Sequence, residues 1–355
     1  MRIAIKAPAA SAPDVAAGQT AALPLGGLGF DWAMMLLSSL FLGGLYLDGW
    51  AHNHDKVDVS FFTIWHAFFY SGFLLVALLL AATLLLNHRR GRPWRAALPG
   101  GYELSLLGAL VFAAGGVGDL LWHELFGIEK DFDALYSPSH LALGLGLGLI
   151  VSGPLRAAWQ RPGRRLSWRQ AGPALLSLAA LISTFTFFAM YSHPLVANIA
   201  AADHYEWRPD VGQMAGAVSI LLTTTLLTAP ALLALARWQL PPGSLLLVWG
   251  INTVAMAILN WRHTYTWTLL GAMLLGVAAV EALHLVLRPG HGRTGALHLF
   301  GFLAPALLMA SYFLAMLAVT GTAWTVHLWT GLVVQAGIAG WLLSYLVAPP
   351  PLPDQ

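Results

Sequence analysis

Residues 119–140 read DLLWHELFGIEKDFDALYSPSH, and residues 48–66 read DGWAHNHDKVDVSFFTIWH. The two stretches share one pattern. Each opens with an Asp followed four residues later by a His, Asp48/His52 and Asp119/His123, the spacing that puts both side chains on one face of a helix. Each closes with a Ser or Thr three residues before a second His, at Thr63/His66 and Ser137/His140. A Trp near the first His (Trp50, Trp122) and an aromatic just before the Ser or Thr (Phe62, Tyr136) recur as well. Long apolar runs lie on both sides of each stretch, so each reads as the connection of a membrane helical hairpin with ligand-type side chains at the mouth of its helices. The expected fold is an all-α, polytopic membrane bundle with a duplicated N-terminal hairpin.

Composition agrees. With 58% hydrophobic residues and only 10% charged over 355 residues, the chain does not have the make-up of a soluble globule. Its net charge of +2 is small and its basic residues are scattered, which sets nucleic acid aside as a partner. No Cys is present, so disulfides, thiolate metal sites and cysteine nucleophiles are excluded, and any metal must be held by His, carboxylate, Met or backbone oxygen.

Apolar runs long enough to cross a bilayer, which takes roughly 20 helical residues, fall near 30–48, 62–87, 102–122, 139–158, 173–192, 212–236, 244–260, 265–287, 296–319 and 325–347. The seventh is the shortest and the easiest to merge with its neighbour. Residues 1–28 read as a disordered tail, 29–347 as one transmembrane domain and 348–355 as a second tail. If ten runs cross, all but Lys56, Lys130, Arg208 and Arg262 of the 18 basic residues fall on one side. The positive-inside rule then makes that side, with both termini, cytoplasmic, as in a multi-pass protein of a bacterial inner membrane. Histidines and acids mostly fall on the opposite, outer side, and every outer connection carries at least one His.

A lone interfacial His is ordinarily just polar, but six residues recur at equivalent places in two hairpins: Asp48, His52, His66, Asp119, His123 and His140. Neutral imidazole with carboxylate is a donor set that borderline divalent metals use. The competing reading has Asp48 and Asp119 only orienting His52 and His123 through hydrogen bonds. Glu124 and Glu129 flank the second stretch and are the candidates for a general base, against the blander reading of solvated loop acids. Inside the bilayer, Glu281 and His284 stand out as an ionisable pair, read either as functional or as an interhelical hydrogen bond. The LGLGLGLG run at 141–148 reads as a close helix contact made by small residues.

The Asp-His…His pattern at Asp48, His52 and His66, and again at Asp119, His123 and His140, resembles the copper-binding membrane subunit of the particulate methane and ammonia monooxygenases. There an Asp or Asn, a His one turn later and a second His beyond a loop make copper sites. The resemblance is confined to these motifs, in a longer chain with more spans, and it ranks copper above zinc or iron as the divalent metal ion.

Together these features predict one outward-facing Asp/His metal centre between the two hairpins, with Trp50 and Trp122 walling it. The predicted function is a copper-dependent oxidoreductase embedded in the lipid bilayer, acting on a small or lipid-soluble substrate and served by a redox partner. The alternatives are a transporter or metal-handling protein, which needs a polar path to Glu281 and His284, and a zinc-type membrane hydrolase using Glu124 or Glu129 as base.

Overall fold

A computed structural model describes residues 25–56, 62–127, 131–202, 208–259 and 263–349. Of the described residues 81% are helical and none forms a strand. In chain order the helices are α1 Gly27–Asn53, α2 Ile64–Arg89, α3 Glu103–Phe126, α4 Asp131–Tyr136, α5 Pro138–Val151, α6 Gly153–Gln160, α7 Trp168–Phe188, α8 Pro194–Ala197, α9 Pro209–Arg237, α10 Ser244–Leu259, α11 Thr266–Leu287, α12 Thr294–Val319 and α13 Val326–Val347. Nine membrane-length apolar spans are found among the described residues, with α5 and α6 counting as one, and α10 is a shorter apolar helix of 16 residues. The protein is thus a multi-pass helical bundle. Its first helix starts at Gly27, two residues before the expected domain boundary, and carries on through Asp48 and His52 to Asn53. The tails proposed for 1–28 and 348–355 lie almost wholly outside the described residues.

The short α10 nevertheless runs from one end of the bundle to the other. At its start, the site of a Cβ on Gly243 lies 3.3 Å from Trp168, the first residue of α7. At its finish, the Leu259 carbonyl accepts a hydrogen bond from Asn53 Nδ2 at the end of α1 (3.0 Å). It therefore stays distinct from α11 and completes the expected count of about ten passes.

A buried carboxylate starts α10. The backbone N–H groups of Gly243, Leu245 and Leu246 donate to Glu281 of α11 at 2.7, 2.9 and 3.2 Å, and His284 Nδ1 lies 3.2 Å from the same carboxylate. Exposed backbone N–H groups at a helix N-terminus attract an anion. Glu281 supplies that anion from a neighbouring helix, so the expected interhelical bond is made by Glu281 to the start of α10, while its contact with His284 lies within α11.

Two apolar cores share the bundle. One joins α1, α2, α3 and α5 with parts of α7 and α10, and the other joins α7 with α9 to α13. At the basic end, Tyr102 donates to Asp31 Oδ1 (2.8 Å) and Arg161 pairs with the same buried carboxylate. This lock ties α1 to the start of α3 and the end of α6.

Candidate metal centre

The two hairpins are built to one plan that the Asp and His spacing only partly reveals. In α1, Gly44 lies one turn before Asp48. In α3, Gly115 holds the same place before Asp119. Six residues after the second His come Gly72 in α2 and Gly146 in α5. A Cβ on Gly72 would fall 2.5 Å from Phe41 Cα, and one on Gly146 would fall 2.8 Å from the backbone N of Phe112, the residue equivalent to Phe41. A Cβ on Gly44 would meet Phe69 Cα at 2.7 Å, and one on Gly115 would meet Leu143 N at 3.2 Å. Small residues let the two backbones of each hairpin touch, and this crossing brings the Asp-His turn of one helix over the first turn of its partner. In the sequence, the recurring glycine spacing around each Asp and second His marks this crossing.

The Ser/Thr-x-x-His pattern has a local cause. Thr63 and Ser137 cap α2 and α5, accepting from the backbone N of His66 (3.1 Å) and His140 (3.4 Å), the bond a helix N-cap makes to its third residue. Each cap thereby presents a His from the first turn of a helix, facing the carboxylate on the paired helix. Both Asp48 and Asp119 sit before a helix N-terminus, whose dipole favours negative charge. The longer second connection is accommodated by α4, with Ser137 forming the corner into α5.

Two triads result, Asp48–His52–His66 and Asp119–His123–His140, each with one ligand atom per residue inside a 4.8 Å circle, and each able to hold a metal ion. In the first, His52 Nε2 lies 3.8 Å from Asp48 Oδ2 and His66 Nε2 lies 3.6 Å from Asp48 Oδ1. In the second, His123 Nε2 and His140 Nδ1 lie 3.6 and 3.5 Å from Asp119 Oδ1. These separations exceed hydrogen bonds of 2.7–3.2 Å. They match the roughly 3.4 Å between two donors that each sit about 2.1 Å from a tetrahedral ion. The six side chains expected to share one centre fall into two groups, one per hairpin, each with its ligand atoms within 4.8 Å of one another.

The triads are neighbours all the same. Asp48 feels the charge of Asp119 and His140, and His52 that of His123 and His140. Tyr70, one turn beyond His66 in α2, feels both carboxylates. Its ring stands 6.1 Å from that of His66, and it packs over Gly116 of α3, where a Cβ would fall 3.0 Å from a ring carbon. Tyr70 occupies the seam between the two triads, a place that no spacing in the sequence announces.

Other candidates fall elsewhere. Glu124 is exposed on α3, about 140° around the helix from Asp119 at roughly 100° per residue. Glu129 lies outside the described residues. Trp50 stacks on His54 with ring centroids 4.7 Å apart and lies edge-on to Trp65 at 6.1 Å, on the face of α1 opposite Asp48, so it does not wall the triad. Trp122 packs against Phe126. In the α7–α9 connection His193 is buried and accepts from Leu195 N to cap α8 (3.2 Å). Burial pushes its imidazole down to about 3. Comparison of the chain with protein-family models, with curated proteins and with solved structures finds no match.

Proposed function

We propose that the two triads each bind a copper ion and that the chain is a copper-dependent membrane oxidoreductase acting on a small or lipid-soluble substrate, with its metal-bearing end outward. What carries this reading is the paired geometry: donor atoms 3.5–3.8 Å apart, too far for hydrogen bonds and right for a shared ion, built twice from one hairpin plan. A buried acceptor supports it, since Asp48 Oδ1 has no hydrogen-bond partner, a costly condition that a cation relieves. Imidazole and carboxylate without thiolate suit a divalent ion, and copper stands highest in affinity for such sites. The motif resemblance to the monooxygenase copper subunit points the same way.

A bound copper supplies one-electron exchange. The protein's own groups do the rest: His52, His66, His123 and His140 hold the ion, Asp48 and Asp119 balance its charge, and Ser139 and Ser137 fix the second triad's orientation. The test is metal analysis with electron paramagnetic resonance on detergent-purified protein. Wild type should carry two copper equivalents, His52→Ala and His123→Ala one each, and the double variant none, with His291→Ala as an unaffected control. Equal metal content in all these folded proteins would refute the proposal, and zinc in place of copper would move it to hydrolytic chemistry.

A further inference from the structure

The two triads are close enough to feel each other's charge, so whatever fills the seam sets how far apart they stand. Tyr70 fills it. It lies four residues beyond His66 on the same face of α2, and a helical side chain leans toward the N-terminus of its own helix, which in α2 is the triad end. Its ring accordingly meets that of His66 edge-on at 6.1 Å. It also bears on the second hairpin, because a Cβ on Gly116 of α3 would fall 3.0 Å from a ring carbon of Tyr70 and 3.2 Å from its hydroxyl oxygen. Phe112 of α3 completes the joint, with ring centroids 5.4, 5.9 and 4.5 Å from those of Phe69, Tyr70 and Phe73 in α2.

The duplication shows that this contact lies outside the shared hairpin plan. Aligning the second histidines puts Gly144 at the place of Tyr70, and aligning the aspartates puts Leu45 at the place of Gly116. Where the first hairpin extends an aromatic ring, the second has no side chain, and Phe188 of α7 takes up the space, 2.5 Å from the Cβ site. Where the second hairpin has Gly116, the first has a buried Leu. Repeats that keep the Asp, the two His, the cap and the crossing glycines depart from symmetry here, and the result is one Tyr of one copy seated on one Gly of the other. Gly115 serves the close approach of α3 to α5, but the three atoms nearest the Cβ site of Gly116 all belong to Tyr70. Glycine in a helix interior costs about 1 kcal/mol relative to Ala, and what this one makes room for is that ring.

We propose that Tyr70, seated on Gly116, is the spacer that sets the distance between the two copper ions and holds them as a magnetically coupled pair. The inference rests on the assignment of copper to both triads and adds to it a residue that is not a ligand. Tyr70 is a positioning residue, acting on one ion through His66 and on the other through the α3 backbone that carries Asp119. Misplacing reacting groups by about 1 Å can cost about 100-fold in rate, so a fixed spacing is the condition for both ions to act on one substrate molecule.

The experiment is electron paramagnetic resonance on detergent-purified protein loaded with copper(II), reading the dipolar splitting between the ions alongside metal content. Wild type should show a splitting that His123→Ala, left with one ion, lacks. Gly116→Val thickens the joint with a branched side chain that has one strongly preferred rotamer in a helix and does not swing aside, so it should shrink the splitting. Tyr70→Ala thins the joint and should enlarge the splitting or spread it over a range of values. Tyr70→Phe keeps the ring and should give the wild-type splitting, and all three variants should retain two copper equivalents. Two coppers without a splitting in wild type, an unchanged splitting in both Gly116→Val and Tyr70→Ala, or a Tyr70→Phe protein as altered as Tyr70→Ala would each overturn the spacer and leave the metal assignment standing. Wild-type protein that does not hold two coppers would overturn the metal assignment itself, and the spacer with it.

Discussion

The two hairpins share a backbone plan and differ at one position in how they treat the carboxylate. Two residues after the cap, the second hairpin has Ser139, which donates to Asp119 Oδ1 (2.9 Å). Ser137 bonds both Ser139 (3.1 Å) and His140 Nδ1 (2.6 Å). At the equivalent place the first hairpin has Trp65, whose indole N–H reaches the Lys56 carbonyl instead (2.9 Å) and pins the connection. Asp119 is 2% exposed with its Oδ1 bonded, whereas Asp48 is 13% exposed with its Oδ1 unpaired. The difference teaches that the glycine crossing and the caps are enough to assemble an Asp-His-His triad. The surrounding hydrogen bonds then decide how firmly its carboxylate is held before an ion arrives.

Breaking the frame of one hairpin should have the largest effect on that comparison. At Gly146 an added side chain meets backbone, the Phe112 N and Gly108 O both 2.8 Å from the new Cβ, and backbone cannot step aside as a side-chain tip can. Gly146→Leu should therefore separate α3 from α5 and remove the second metal equivalent while the first stays. Titration of metal into the purified variant reads this, and retention of both equivalents would show that the crossing does not build the site.

A smaller effect sharpens the contrast in hydrogen bonding. Ser139→Ala leaves every candidate ligand in place and removes the bond that orients Asp119 together with the Ser139–Ser137 bond behind His140. Its metal affinity should drop about 10–100-fold at the second triad, the usual consequence of losing a group that orients a ligand, with no change at the first. An equal drop at both triads would mean that they bind as one unit.

The smallest effect separates histidines that serve the triads from one that serves the fold. His193 is buried neutral, so its folded pKa of about 3 lies below the ordinary value of 6.5. Its contribution to stability is complete above pH 6.5 and declines as the pH falls towards 3, by at most about 1.4 kcal/mol per pH unit. His193→Asn, which can still cap α8, should flatten the fall in melting temperature over that range and leave both metal equivalents in place. A variant as acid-sensitive as wild type would remove His193 as the cause.

Much was legible in sequence because it depends on neighbours along the chain. Apolar run lengths marked the spans, the four-residue interval marked Asp and His on one helix face, and the Ser/Thr-x-x-His interval marked a capped first turn. The small-residue run at 141–148 was rightly read as a packing surface, with Gly144 against Phe188 and Gly146 against Phe112. Glu281 was legible only as a buried acid, because its partners are the N–H groups of a helix 35 to 38 residues away.

By itself, then, the sequence determined an all-helical multi-pass chain with a duplicated hairpin and a set of six candidate ligands, since helix periodicity, capping and hydropathy act within a few residues. Tertiary structure alone decided that the six divide into two triads and that Tyr70 lies in the seam between them. Those outcomes depend on which helix faces meet: glycine spacing marks where backbones can approach closely, but which helix makes the approach is a relation between residues far apart in the chain.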